Sequence, residues 1–207
     1  MNKKSPFLVI PEFLPPMACE RILDDLPIGR MRPLTGQDGT PREMVFHNQL
    51  NTLRIMQVFD PVVDNLEAHY ETTYLGTHKL MFEWYPRKYN HKKLVVDSHL
   101  YDKKEGWKLS NRIDFTGILW LTTYNDQGDF EPSFETYGGN LNFPNFDINF
   151  KPQRGTMVIF PSTPNFVYCV GPVHEGNLVQ VHLQIRSEGG FQFRPEDYET
   201  DPTKWGI

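Results

Sequence analysis

The chain has 207 residues, enough for one domain with a substantial core and short for two. Its net charge of −5 offers no basic footprint for nucleic acid, and the apolar run Phe7-Leu8-Val9-Ile10 stops at Pro11, too short for a signal segment or a membrane span. Cys19 and Cys169 are too far apart in sequence to suggest a disulfide framework or a zinc site. The expected location is therefore a reducing one: cytoplasmic, or assembled into a virion or similar particle made inside a cell.

Fifteen Phe, nine Tyr, 17 Pro and 15 Gly favour a turn-rich β fold. The chain opens on a short strand, Phe7 to Ile10. A helix follows from Pro15-Pro16, with Cys19, Ile22, Leu23 and Leu26 at helical spacing. Residues Gly29 to Arg42 read as a loop. A second helical segment begins around Asn51 and a third after Asp60-Pro61, with Val63, Leu66, Tyr70 and Tyr74 along one side and Gly76 past its end; His69 reads as a core-edge histidine. The basic stretch from Lys79 to Lys108, interspersed with Glu83, Asp97, Asp102 and Glu105, reads as solvated.

From Lys79 onward the period changes to that of strands: Lys79 to Tyr85, Leu94 to His99, Phe115 to Tyr124, Gly139 to Phe143, Phe146 to Phe150, Thr156 to Phe160, Asn165 to Val170 and Leu178 to Arg186. Eight short strands after an N-terminal helical layer predict a mainly β jelly roll with helices packed on one sheet. One domain over 1–186 and an irregular tail over 187–207 complete the expected organisation.

Several segments occur in an order that resembles one family. They are Val9-Ile10-Pro11-Glu12-Phe13-Leu14 with Cys19-Glu20-Arg21-Ile22, Arg112-Ile113-Asp114-Phe115-Thr116 running to Trp120-Leu121-Thr122, and Gly138-Gly139-Asn140-Leu141-Asn142-Phe143-Pro144. Pro152 with Gly155, Val158-Ile159-Phe160-Pro161-Ser162 and Val170-Gly171-Pro172-Val173 with Gly176 follow. In these segments the chain is similar to the 2-oxoglutarate/Fe(II)-dependent oxygenases of the prolyl 4-hydroxylase-like branch. The resemblance covers about Val9 to Ile185 and is strongest to the compact members encoded by bacteria and their phages. It implies a double-stranded β-helix, the cupin-like jelly roll.

Active members of that family hold Fe(II) with two histidines and one carboxylate, and anchor 2-oxoglutarate with a basic residue. The resemblance places the first two ligands at Val95 and Asp97 and the third at Tyr168. It puts the co-substrate anchor at Leu178 and an assisting tyrosine at Trp120. Valine cannot ligate a metal, and a leucine cannot pair with a buried carboxylate, which is costly to leave alone. No catalytic residue, metal or cofactor is therefore expected.

Two rearrangements stay open. Asp97 and His99 are two residues apart on one expected strand, and His182 lies on the polar row of the last strand, opposite the apolar row Val179, Val181, Leu183 and Ile185. Asp97, His99 and His182 are then a candidate metal triad, with Arg186 or Arg112 receiving a carboxylate. A shift of the distal ligand to His174 is the other. Arg112, Trp120, Tyr168, Gln180 and His182 are the expected wall of the pocket. The resulting expectation is a pseudoenzyme that binds a protein partner, as a structural or assembly component such as a phage virion protein. The alternatives are an active Fe(II)/2-oxoglutarate-dependent dioxygenase with rearranged ligands and a small-ligand binding module. Neither nucleic-acid nor membrane partners are expected, and the aromatic, Asn-rich stretch from Tyr124 to Asn149 is the expected protein-binding surface.

Overall fold

The computed structural model describes residues 3–30, 32–91, 93–127, 131, 134–199, 201 and 203, with the side chains of 29 and 30 excepted. Parts of the expected loop at Gly29 to Arg42, of the basic stretch, of the Tyr124 to Asn149 surface and of the tail thus lie outside the described residues.

The N-terminal part alternates short strands with helices: β1 (Leu8–Ile10), α1 (Pro16–Asp25), β2 (Met44–Phe46), α2 (Gln49–Gln57) and α3 (Asp60–Tyr70). Pro16 sits at the first helical position of α1, where its missing N–H costs nothing. Asn48 caps α2 by accepting a hydrogen bond from the Asn51 backbone N–H at 3.0 Å. Helix α3 buries Val62, Leu66 and Tyr70 and ends at Glu71, which adopts a left-handed conformation (φ 52°). The stripe is thus set one residue earlier than Val63, and Tyr74 already belongs to the next strand. The chain reverses at Glu71 and does not wait for Gly76.

The strands that follow are β3 (Tyr74–Pro86), β4 (His99–Asp102), β5 (Gly106–Leu109), β6 (Phe115–Trp120), β7 (Thr123–Tyr124), β8 (Glu135–Gly138), β9 (Leu141–Phe143), β10 (Ile148–Phe150), β11 (Met157–Pro161), β12 (Cys169–Val170) and β13 (Val173–Ser187). The major sheet runs β1-β11-β6-β13-β3-β2, with β8 added to the start of β13 and β7 beside β8. The minor sheet is β10-β9-β12, and β4-β5 form a separate hairpin. The two sheets facing each other make the jelly roll. The expected strand Leu94 to His99 is not one: Val95 and Val96 make only single bridges, and the ladder begins at His99 and runs to the β4-β5 hairpin.

Period-2 alternation sorts the major sheet into two faces. Leu80, Phe82 and Trp84 of β3, Phe115 and Leu119 of β6, Met157 and Ile159 of β11, and Val179, Val181, Leu183 and Ile185 of β13 pack against the helices. The opposite residues Tyr85, Ile118, Trp120, Val158, Phe160 and Leu178 enter the jelly roll, where they meet Leu141, Phe143 and Val170 of the minor sheet. The split between apolar and polar rows of β13 is the one the sequence predicts. At one corner, Gly155 (φ 79°) lets the chain pass the entry to α1: a Cβ there would meet the Leu14 carbonyl oxygen at 2.0 Å.

The segment after Ser187 is irregular yet held down. Phe191 packs on Phe115 (ring centroids 4.7 Å apart) and Tyr70 (5.5 Å), and Tyr198 is buried in the helix-side core. Among the described residues no helix is long and apolar enough to cross a membrane.

Candidate functional site

The centre of the jelly roll is crossed by β13, between β6 and β3. Its inward row is Leu178, Gln180, His182 and Gln184. Gln180 stands opposite Glu83 on one side and Trp120 on the other, and Gln184 stands opposite Thr116. From the far side, Val95 and Tyr168 pair backbone to backbone, with N···O distances of 2.8 and 3.1 Å. This pairing brings the Val95-Val96-Asp97 segment beside the row. Val95, Asp97 and Tyr168, the positions to which the resemblance assigns the metal ligands, therefore do adjoin one another.

Those positions hold a closed polar network. His182 Nδ1 lies 2.9 Å from Glu83 Oε1, and its Nε2 lies 3.0 Å from Asp97 Oδ1. The second contact has ion-pair distance without the alignment of a straight hydrogen bond. All three side chains are withdrawn from solvent, at 7% exposure for His182, 13% for Glu83 and 5% for Asp97. Neutral donors complete both carboxylates. Thr116 Oγ1 (2.6 Å) and the Tyr168 hydroxyl (3.0 Å) donate to Asp97 Oδ2, and Gln184 Nε2 donates to Oδ1 (3.1 Å). Gln180 Nε2 and the Tyr85 hydroxyl each donate to Glu83 Oε2 at 2.8 Å.

Burial alone would keep the imidazole neutral, but the Asp97 and Glu83 charges on either side outweigh it and hold His182 well above the usual histidine range. Burial likewise works against both carboxylates, and the charge of His182 reverses the balance and lowers each of them. Tyr168 is pushed the other way by burial and by the Asp97 charge, so its phenol stays protonated and serves as a donor. The core of the site is one imidazolium between two carboxylates.

This arrangement does not fit the iron and 2-oxoglutarate that the fold implies. A metal needs lone pairs converging on one point, with bonds near 2.0–2.2 Å. Here both ring nitrogens of His182 face carboxylates, on opposite edges of the ring. The rearranged triad is not brought together in this structure: His99 opens the β4-β5 ladder with its Nδ1 2.5 Å from Ser98 Oγ, while His182 lies between Asp97 and Glu83. Among the described residues no group of three His, Cys, Asp or Glu side chains could hold a metal ion. At the anchor position Leu178 is wholly buried among Tyr85, Trp120 and Leu141, a setting in which a co-substrate carboxylate finds no cation.

Of the expected pocket wall, Trp120, Tyr168, Gln180 and His182 do line the interior, and they are buried. Trp120 Nε1 and Gln180 Oε1, on neighbouring strands, are buried without a hydrogen-bond partner. Arg112 is instead exposed beyond the end of the sheet, where its Nη2 reaches the Ser187 carbonyl (3.4 Å) and its own carbonyl accepts from Arg186 Nε (2.9 Å). Neither arginine is available inside. His174 lies on the outer surface beside Tyr137, and His69 contacts the Ser5 carbonyl at 2.9 Å.

Glu83 is the residue that sequence reasoning misses, counting it among the solvated charges of a basic stretch. Its signal was local: a carboxylate at an inward position of a strand, between Phe82 and Trp84.

Structural comparison identifies the architecture. The chain superposes on a viral collagen prolyl hydroxylase from Paramecium Bursaria Chlorella virus-1, in its 2OG complex, with a TM-score of 0.60 and 14% identity, covering 88% of this chain and 96% of the other. A Pseudomonas putida prolyl-4-hydroxylase gives 0.56 at 14% identity, covering 89% and 94%. HygX from Streptomyces hygroscopicus, solved with nickel, 2-oxoglutarate and hygromycin B, gives 0.55 at 11%, covering 92% and 86%. No protein-family model and no curated protein matches the sequence. The fold is that of the prolyl 4-hydroxylase-like 2-oxoglutarate/iron oxygenases.

Proposed function

We propose that this protein is a non-catalytic form of the oxygenase jelly roll that works by binding a protein partner within an assembly. The observation that carries the reading is His182, set between Asp97 and Glu83 at the place where the family's ligand positions adjoin. Two features fill the site together. The network satisfies the charges of Asp97, Glu83 and His182 internally, and Leu178 with its aromatic neighbours takes up the anchor end. A reaction that needs an open metal face and an anchored 2-oxoglutarate has no counterpart in these side chains.

The partner half of the reading is supported by the β4-β5 hairpin. Leu109 is 70% exposed there on the face it shares with exposed Tyr101, and Leu100 is 69% exposed on the opposite face, on a two-stranded sheet joined to no other strand among the described residues. Exposed apolar residues gathered on one projection mark interaction surfaces. The Tyr124 to Asn149 stretch suits that role less well, because Phe143 and Phe146 turn inward onto Phe7. A virion is the assembly suggested by the resemblance to phage-encoded members.

Anaerobic titration with Fe(II), with and without 2-oxoglutarate, tests the proposal. The expected result is no visible charge-transfer band and no succinate formed when oxygen is admitted. A stoichiometric band that Asp97→Ala abolishes would sink it.

A further inference from the structure

A cavity of about 350 Å³ lies away from the His182 network and shares none of its residues. Alternation along β9 and β12 sends Leu141, Phe143 and Val170 into the jelly roll and turns Asn142 and Cys169 to the outer side. The cavity is built over that outer side.

Three rings stand in its wall. Tyr137 is 5.9 Å from Tyr124 and 5.3 Å from His174, centroid to centroid. Gly138, Gly139 and Gly171 form part of the lining and add no side-chain bulk. Gly138 is required there on its own account: its φ is 94°, and a Cβ would meet the Pro172 carbonyl oxygen at 2.1 Å.

Two amides stand among the polar groups of the lining, beside the tyrosine hydroxyls and the His174 imidazole. Asn142 Nδ2 donates to the carbonyls of Asn140 (2.9 Å) and Cys169 (3.4 Å), which fixes the amide with its oxygen as the remaining acceptor. Asn140 also lines the cavity, and its Oδ1 is buried with no hydrogen-bond partner. Among the described residues no Asp, Glu, Lys or Arg lines the cavity, and Lys151, whose Nζ lies 4.3 Å from the Tyr124 ring centroid, is paired with Asp126 at 3.8 Å. A charged ligand would lose its hydration there without gaining a counter-charge.

We propose that this cavity binds an uncharged, hydroxyl-bearing ring compound of monosaccharide size. The apolar face of the ring lies on Tyr137 and His174, and its hydroxyls bond the amides of Asn140 and Asn142. The volume stands at the small end of the range for ligand pockets, about 300–1,000 Å³. A few placed polar groups among aromatic walls are the usual composition of such sites. His174, offered by the sequence as a displaced metal ligand, has its place here.

Saturation-transfer NMR and calorimetric titration with glucose, galactose, mannose and N-acetylglucosamine test the inference, with glucuronate and glucosamine as charged counterparts. At least one neutral sugar is expected to bind saturably in the millimolar range, with the charged counterparts at least ten-fold weaker. Tyr137→Ala and His174→Ala each remove an exposed side chain. Each is expected to weaken binding at least ten-fold with an unchanged melting temperature. Absence of saturable binding by every neutral sugar overturns the inference, as does binding that both variants retain or that the charged counterparts match. The cavity lies outside the jelly-roll interior, so these outcomes are independent of the iron titration.

Discussion

His182 Nε2 stands 3.0 Å from Asp97 Oδ1, so the carboxylate at a position the resemblance assigns to a metal ligand is paired with a side-chain cation. Glu83 closes the other edge of the same imidazole at 2.9 Å. The chain itself thus supplies a positive charge between the two buried carboxylates.

The charge state of this trio makes stability depend on pH in a definite direction. His182 titrates near 6.5 when unfolded and well above that when folded. Its contribution is fully present below about pH 6.5 and is lost as pH rises through the folded value. Asp97 and Glu83 have lowered folded values, so theirs is present above about pH 4.5 and is lost as pH falls through those values. Thermal unfolding across pH 5 to 9 should show the wild-type melting temperature falling above pH 6.5 more steeply than that of His182→Gln. Parallel profiles would contradict the pairing.

Removing one partner of a buried ion pair leaves the other charge uncompensated, at a cost of about 3–5 kcal/mol. Asp97→Ala also deprives Thr116, Tyr168 and Gln184 of their acceptor. Denaturant unfolding should place its loss within that range, while Lys103→Ala on the exposed hairpin stays within about 0.5 kcal/mol of wild type. A loss below about 1 kcal/mol for Asp97→Ala would mean that the network is dispensable.

Leu178→Lys puts a basic residue at the position to which the resemblance assigns the co-substrate anchor, in a fully buried site among aromatic rings. Desolvation of the ammonium should destabilise the fold by about 3 kcal/mol or more. Added 2-oxoglutarate should not restore the melting temperature, since no further ligand set awaits it. Recovery of stability on adding the co-substrate would show that the cavity can be reopened by one change.

Deletion of residues 188–207 tests whether the irregular tail belongs to the fold. Phe191 and Tyr198 cover Tyr70, and Lys4 bridges to Tyr198. Loss of a buried aromatic typically costs about 3–5 kcal/mol. The truncated protein should melt well below the full chain, and an unchanged melting temperature would make the tail an appendage.

The fold was largely legible because it rests on local periodicity. The alternation of Val179, Val181, Leu183 and Ile185 and the stripe Cys19, Ile22 and Leu23 each name their buried face without knowledge of the partner. The ordered Gly138-Gly139 and Pro152 to Gly155 segments supplied the architecture. The site was only half legible. Positions could be counted to Val95, Tyr168 and Leu178, but Glu83 and His182 are 99 residues apart, and their pairing depends on the register of β3 against β13. No spacing rule encodes that. Glu83 reads as solvated for the same reason: a charge in a lysine-rich stretch looks exposed until the strand beside it is known, whereas Asp97 is singled out by the resemblance.

The most direct test is the protonation of His182 itself. Nitrogen-15 spectra of the imidazole at pH 8, assigned by the His182→Gln variant, should show both Nδ1 and Nε2 carrying protons, as an imidazolium held between Asp97 and Glu83. A neutral ring with one bare nitrogen would contradict the account, because that nitrogen would be free to ligate a metal.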